Sequence, residues 1–171
     1  MSAVIDSHHD DHHHGPAKGF SRWLYTTNHK DIGSMYLWFS LIMLFVGGAM
    51  AMVIRAELFE PGSQIVSPEF YNQMVTNHGL IMVFGVIMPA FVGFANWMIP
   101  MQIGAPDMAL PRLNNLSFWI LPVAFGILLS TFFMEGGAPN FGWTFYAPLS
   151  TEYAPPTVSY THLRAHETFG Y

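Results

Sequence analysis

His78 opens an apolar run, Asn77-His-Gly-Leu-Ile-Met-Val-Phe-Gly-Val-Ile-Met-Pro-Ala-Phe-Val-Gly-Phe-Ala-Asn-Trp97, that holds no other ionisable side chain. An ionisable group at lipid depth is costly, so it faces a protein interior and serves a purpose there. Imidazole is also well suited to hold iron or copper. The residue alone leaves two readings open: a metal ligand, or a histidine hydrogen-bonded across a helix interface. Asp107, in a short polar loop, reads by itself as a solvated carboxylate or a helix cap. The string Ser7-His-His-Asp-Asp-His-His-His14, followed by Gly15-Pro16, reads as solvated tail with adventitious affinity for divalent metals. Residues 1–20 are accordingly expected to be disordered.

Membrane helices must position His78. The 171-residue chain is 51% hydrophobic and only 10% charged, against about 25% charged in soluble domains. Six Lys and Arg face eleven Asp and Glu, so no basic surface invites nucleic acid. Cysteine is absent, which excludes disulfides, thiolate metal sites and cysteine nucleophiles. Residues 1–30 show neither the apolar core nor the cleavage pattern of a signal peptide.

Three segments reach the roughly 20 residues that a helix needs to cross a hydrocarbon core of about 30 Å. They are residues 32–54, 74–99 and 116–134. Pro89 and Pro122 interrupt the second and third, as membrane helices tolerate where neighbours re-satisfy the freed carbonyls. Gly47, Gly48, Ala49 and Ala51 in the first span, and Gly85, Gly93 and Ala95 in the second, permit close helix approach. Lys18, Arg22 and Lys30 precede the first span and Arg112 follows the second, whereas the loop after the first holds Glu57, Glu60 and Glu69. The positive-inside rule then puts the N-terminus and the 100–115 loop in the cytoplasm. Trp23, Trp38, Trp97, Trp119 and Trp143 fall mostly near the expected interfaces. The fold class is an all-α membrane protein with three transmembrane helices.

Several strings together carry a family resemblance. Thr27-Asn-His-Lys-Asp-Ile-Gly33, Ile54-Arg-Ala-Glu-Leu58, the His78 helix, Ile103-Gly-Ala-Pro-Asp-Met-Ala-Leu-Pro-Arg-Leu-Asn-Asn115 and Phe141-Gly-Trp-Thr-Phe-Tyr-Ala-Pro-Leu-Ser150 occur in order. From residue 21 to residue 150 the chain resembles subunit I of the haem–copper respiratory oxidases, most closely the bacterial aa3-type cytochrome c oxidases. The three helices would then be the first part of a larger polytopic bundle spanning residues 21–157 of this chain.

The resemblance implies roles by position. His78 matches an axial ligand of the low-spin haem, haem a, and axial ligation is one lever on haem potential. Arg55 matches the arginine that hydrogen-bonds the haem formyl group, while Tyr71 and Trp143 match residues that approach the propionates. Without the resemblance, Arg55 reads as a headgroup anchor and the two aromatics as interfacial anchors. Asp107 matches the opening of a proton pathway that Asn96 and Asn114 would continue. Asn96 follows His78 by 18 residues, about 27 Å along a straight helix, so electron and proton sites would lie on opposite faces. Glu57 and Gly62 match a peripheral calcium or sodium site, a setting that suits a hard cation. Glu60 and Gln64 occupy further ligand places, and Glu60 stands where one relative has histidine.

Val46 and Met50 stand where quinol-oxidising relatives carry an arginine and an aspartate, which favours cytochrome c as donor. The resemblance further implies partner subunits II and III and a bacterial plasma-membrane location. The second haem ligand, the high-spin haem's ligand and the copper B histidines lie in later helices of the family, so this chain alone is not expected to reduce oxygen. Residues 158–171 resemble the translation of a transposase-type sequencing-library adapter and are read as an artefact, which discounts the His162/His166 pair as a metal site. The rival readings are a short, non-enzymatic three-helix membrane protein and a quinol-oxidising relative.

Overall fold

Asn28 starts the first long helix: its side chain accepts a hydrogen bond from the Lys30 amide at 2.9 Å, supplying one partner to the unpaired amides of a helix start. The structure, a computed structural model, describes residues 19–62, 65–134 and 136–151. The His/Asp-rich tail, Gln64, and residues 158–171 lie outside them. A short helix α1 (Phe20–Leu24) precedes α2 (His29–Glu57). Ser67 then caps α3 (Pro68–Leu80), with Pro68 in the first turn, where its missing N–H costs nothing. A π-helical stretch (Ile81–Ile87) joins α3 to α4 (Met88–Ile103) as one 36-residue span. Gly104, at φ 69°, ends it in the left-handed conformation that glycine adopts without strain. Helix α5 (Pro111–Ser130) finishes in a 3-10 turn (Thr131–Phe133).

Three helices are long and apolar enough to cross a membrane, and no strand occurs among the described residues. Each starts before the apolar segment seen in the sequence, and the first two also end after it. The reason is local: polar caps and prolines set where a helix starts, and hydropathy sets only which part of it lies in lipid.

Helix α2 is the hub, packing on α3, the π stretch, α4 and α5. Ile32, Met35, Tyr36, Phe39 and Met43 of α2 bury against Ile81, Phe118 and Phe125. Phe118 takes Tyr36 edge-on at 5.2 Å between centroids and Phe39 at 6.3 Å, the arrangement that the ring quadrupoles favour. Close approach depends on glycine. A Cβ on Gly33 would lie 2.7 Å from Trp97 Cδ1 and 2.9 Å from the Gly93 carbonyl, and one on Gly93 would lie 3.0 Å from the Gly33 carbonyl. Gly47 and Gly85 also face neighbouring side chains, as expected from the sequence. Gly48 does not: nothing lies within 4 Å of where its Cβ would be. Gly33, absent from the sequence-based set, makes the tightest of the α2–α4 contacts.

The π stretch accounts for the tolerance of Pro89. Its last cap bond runs from the Met88 amide to the Val83 carbonyl, five residues back. Pro89 has no N–H and its ring would clash with the carbonyl four residues earlier, so wider turns before it relieve both problems. Ser40 Oγ of α2 donates to the Val86 carbonyl at 2.8 Å, supplying that carbonyl with a partner from a neighbouring helix.

Candidate functional site

At one end of the bundle, His78 sits half-buried in the last turn of α3, facing α2. Its Nδ1 lies 2.9 Å from the Gly47 carbonyl oxygen. A carbonyl can only accept, so Nδ1 carries the proton, and in the neutral ring Nε2 keeps its lone pair. This is the tautomer and fixed orientation that a metal-ligating imidazole requires. Gly47 makes the approach feasible, because a Cβ there would meet Met82 Sδ at 2.8 Å and Ile81 Cγ2 at 3.3 Å. The donor chemistry of His78 therefore fits one axial ligand of a haem iron.

Trp143 lies beside this turn, its Cδ1 3.6 Å from where a Gly79 Cβ would be. Arg55, in the last turn of α2, is exposed. It lies eight residues beyond Gly47, about 12 Å along the helix. Its charge there also complements the helix dipole. Tyr71 is half-buried and lines a cavity of about 540 Å³ together with Glu57, Glu60, Gly62 and Asn72. The sequence assigned Tyr71 to the haem and Glu57 with Gly62 to a cation; the structure puts all three in one cleft.

Glu57 is 7% exposed. A carboxylate at a helix C-terminus is unfavourable, and here Oε2 accepts from the Ile65 amide at 2.9 Å and the Val66 amide at 3.0 Å. Those bonds tie Ile65 and Val66 to the helix end and help to satisfy the buried carboxylate. Among the described residues no three His, Cys, Asp or Glu side chains converge as metal ligands.

At the opposite end, Asn114 Nδ2 donates to Asn96 Oδ1 at 2.9 Å, joining α5 to α4. Asn96 is buried, and its carbonyl accepts from Nδ1 of buried His29 at 2.9 Å, joining α2. Asp107 is exposed in the connecting loop, its Oδ1 accepting from the Met108 amide at 2.8 Å. The two asparagines thus meet directly, whereas Asp107 stands at the aqueous edge.

The polar string continues inward through residues the sequence reading did not single out. Ser117 Oγ donates to the Asn114 carbonyl at 2.7 Å and lies 2.9 Å from the Tyr36 hydroxyl. With its own proton committed, Ser117 accepts from Tyr36. The available signal was Ser117 three residues after Asn114, hence on one face of a helix. His29 offered a weaker one, beside the Asn28 cap. Nearby, Asp31 takes Arg22 through Nη2 at 3.1 Å and accepts from Thr26 Oγ1 at 3.3 Å, while Asn115 Nδ2 donates to the Thr26 carbonyl at 2.8 Å. These bonds tie the N-terminal segment to α2 and α5.

The fold and the site define a multi-pass helical membrane protein with a ligand-ready histidine at one end and a polar string at the other. The family model for cytochrome C and quinol oxidase polypeptide I matches residues 31–168, and the chain belongs to this family. The matched range takes in residues 158–168, within the stretch read above as adapter translation. The chain is 48% identical over 146 residues to cytochrome c oxidase subunit 1 of Corynebacterium diphtheriae, covering 84% of this chain and 26% of that protein. It is 46% identical over 143 residues to a probable cytochrome c oxidase subunit 1-alpha of Streptomyces coelicolor, covering 84% and 25%. A haem-copper oxidase subunit I+III of Aeropyrum pernix is 45% identical over 137 residues, covering 80% and 17%. The chain therefore spans between 17% and 26% of the length of these relatives.

Proposed function

We propose that this chain is the N-terminal part of the catalytic subunit of a cytochrome c oxidase, in which His78 is one axial ligand of the low-spin haem a. The whole protein would pass electrons from cytochrome c to oxygen, forming water and translocating protons, with the high-spin haem and copper B held by its later helices. The observation that carries the reading is the bond from His78 Nδ1 to the Gly47 carbonyl, which leaves Nε2 as the ligating atom inside a family-matched membrane helix. When bound, haem supplies a one-electron redox centre. The chain's own contribution is to lock the imidazole and raise its basicity through that second bond. Arg55, Tyr71 and Trp143 are assigned to the haem's substituents, and Glu57 with Gly62 to an optional calcium or sodium ion that plays no part in the chemistry.

Proton uptake is assigned to the other end. Asp107 exchanges protons with the aqueous phase, and Asn96 and Asn114 orient the path behind it. Ser117 and Tyr36 extend the path, their hydroxyl donors all pointing from Tyr36 towards Asn114. The N-terminus is assigned to the cytoplasmic face of a bacterial plasma membrane, with subunits II and III as partners. Val46 is half-buried and Met50 buried in the helix core, which supports cytochrome c over quinol as donor because neither offers a hydrogen bond. Replacing His78 by Ala in the assembled enzyme tests the reading. Loss of the low-spin haem spectrum is expected, and an unchanged spectrum would overturn it.

A further inference from the structure

The loop after α5 is fastened to the helical turn that carries His78, at points the haem reading does not use. Thr76 is 1% exposed; its Oγ1 donates to the Asn72 carbonyl at 2.8 Å and accepts from the Gly142 amide at 3.0 Å. Asn77 is fully buried. Its Nδ2 donates to the Gln73 carbonyl at 2.8 Å and, at 3.4 Å, to the Pro139 carbonyl of the loop. Two carbonyl partners fix which end of the amide is nitrogen, so Oδ1 points the other way, and it is buried with no partner among the described residues. A buried polar atom without a partner calls for an explanation, and the bonds made by the other end of the amide offer one. Gly137, at φ 72°, passes so close to Gln73 that a Cβ would fall on its amide. Trp143 then lies over Gly79, its Cδ1 3.6 Å from where a Cβ would be, at van der Waals contact.

We infer that Thr76 and Asn77 are positioning residues that pin the 136–143 loop onto the His78 turn, so that the Trp143 indole and the imidazole hold one fixed relative geometry. Residues 73, 76, 77 and 79, on two successive helical turns, all engage the loop, while His78, among them, turns to α2. A shift of the loop therefore pulls on the backbone that sets the imidazole. The functional consequence rests on His78 being a haem ligand; the clamp itself does not.

The test uses the assembled oxidase containing Thr76→Val, Thr76→Ser and Asn77→Leu. Asn77→Leu removes the Gln73 and Pro139 bonds together with the unpaired oxygen, and thermal unfolding reads its cost to folding. Hydrogen exchange at the Gly142 amide reads the clamp, and a redox titration of the low-spin haem reads its effect. Thr76→Val is expected to speed Gly142 exchange roughly tenfold and to shift the midpoint potential, with Thr76→Ser restoring both. Asn77→Leu is expected to shift the potential in the same direction by less. Unchanged exchange overturns the clamp. Faster exchange with an unmoved potential overturns the positioning role while leaving His78 as ligand. Haem retained in His78→Ala overturns the ligand assignment, and with it the positioning role.

Discussion

The Nδ1 of His78 and the carbonyl oxygen of Gly47 are 2.9 Å apart, across the interface between the second membrane span and the first. One bond thereby sets the tautomer of the imidazole and the separation of the two helices. A side chain on residue 47 would crowd both, since its Cβ would meet Met82 Sδ at 2.8 Å and Ile81 Cγ2 at 3.3 Å.

Gly47→Val is expected to push α2 from the π stretch and weaken the His78 bond. Overpacking of this kind costs about 1–3 kcal/mol. Thermal unfolding in detergent should show the loss, and the low-spin haem band of the assembled enzyme should fall or shift with it.

The contact between Gly33 and Gly93 leaves less room for relief, because the atoms that meet include backbone oxygens. Gly33→Ala is expected to destabilise by about 1–3 kcal/mol. Gly48→Ala, which faces open space, should stay within about 0.5 kcal/mol of the parent. Comparing the two melting curves checks the packing directly, since both are glycine-to-alanine changes in one helix.

Ser40→Ala removes the donor to the Val86 carbonyl. A lost hydrogen bond of this type costs about 1 kcal/mol. Hydrogen exchange across residues 81–91 should rise in the variant if Ser40 steadies the π stretch. Unchanged exchange would show that the wide turns hold themselves.

Asp107→Asn is expected to slow proton uptake during turnover while the haem spectrum stays intact, because the loop lies at the other end of the span from His78. Asn114→Leu leaves Asn96 Oδ1 without its donor and should also slow uptake. Stopped-flow measurement of proton uptake with a pH dye distinguishes these effects from a loss of assembly.

Glu57→Gln weakens two charge-assisted bonds to the Ile65 and Val66 amides. A loss of about 1–2 kcal/mol is expected from the difference between charged and neutral acceptors. If the carboxylate serves the loop, calcium chelation should leave the parent's melting temperature unmoved. A calcium-dependent melting temperature that Glu57→Gln abolishes would establish the cation site instead.

What the sequence determined by itself was the existence of three spans, the placing of a lone histidine within one of them, and the family. Hydropathy over about 20 residues and motif order are local properties, legible without a neighbour. It also joined Asn96 to Asn114, through their family positions rather than their spacing. What only the tertiary structure decided was which groups meet across helices. Gly47 against His78, Gly33 against Gly93, Tyr36 against Ser117 and Thr76 against Gly142 are each separated by at least 31 residues. The physical reason is common to all of these: a small or polar residue in an apolar helix looks alike from either face until a second helix supplies, or fails to supply, its partner.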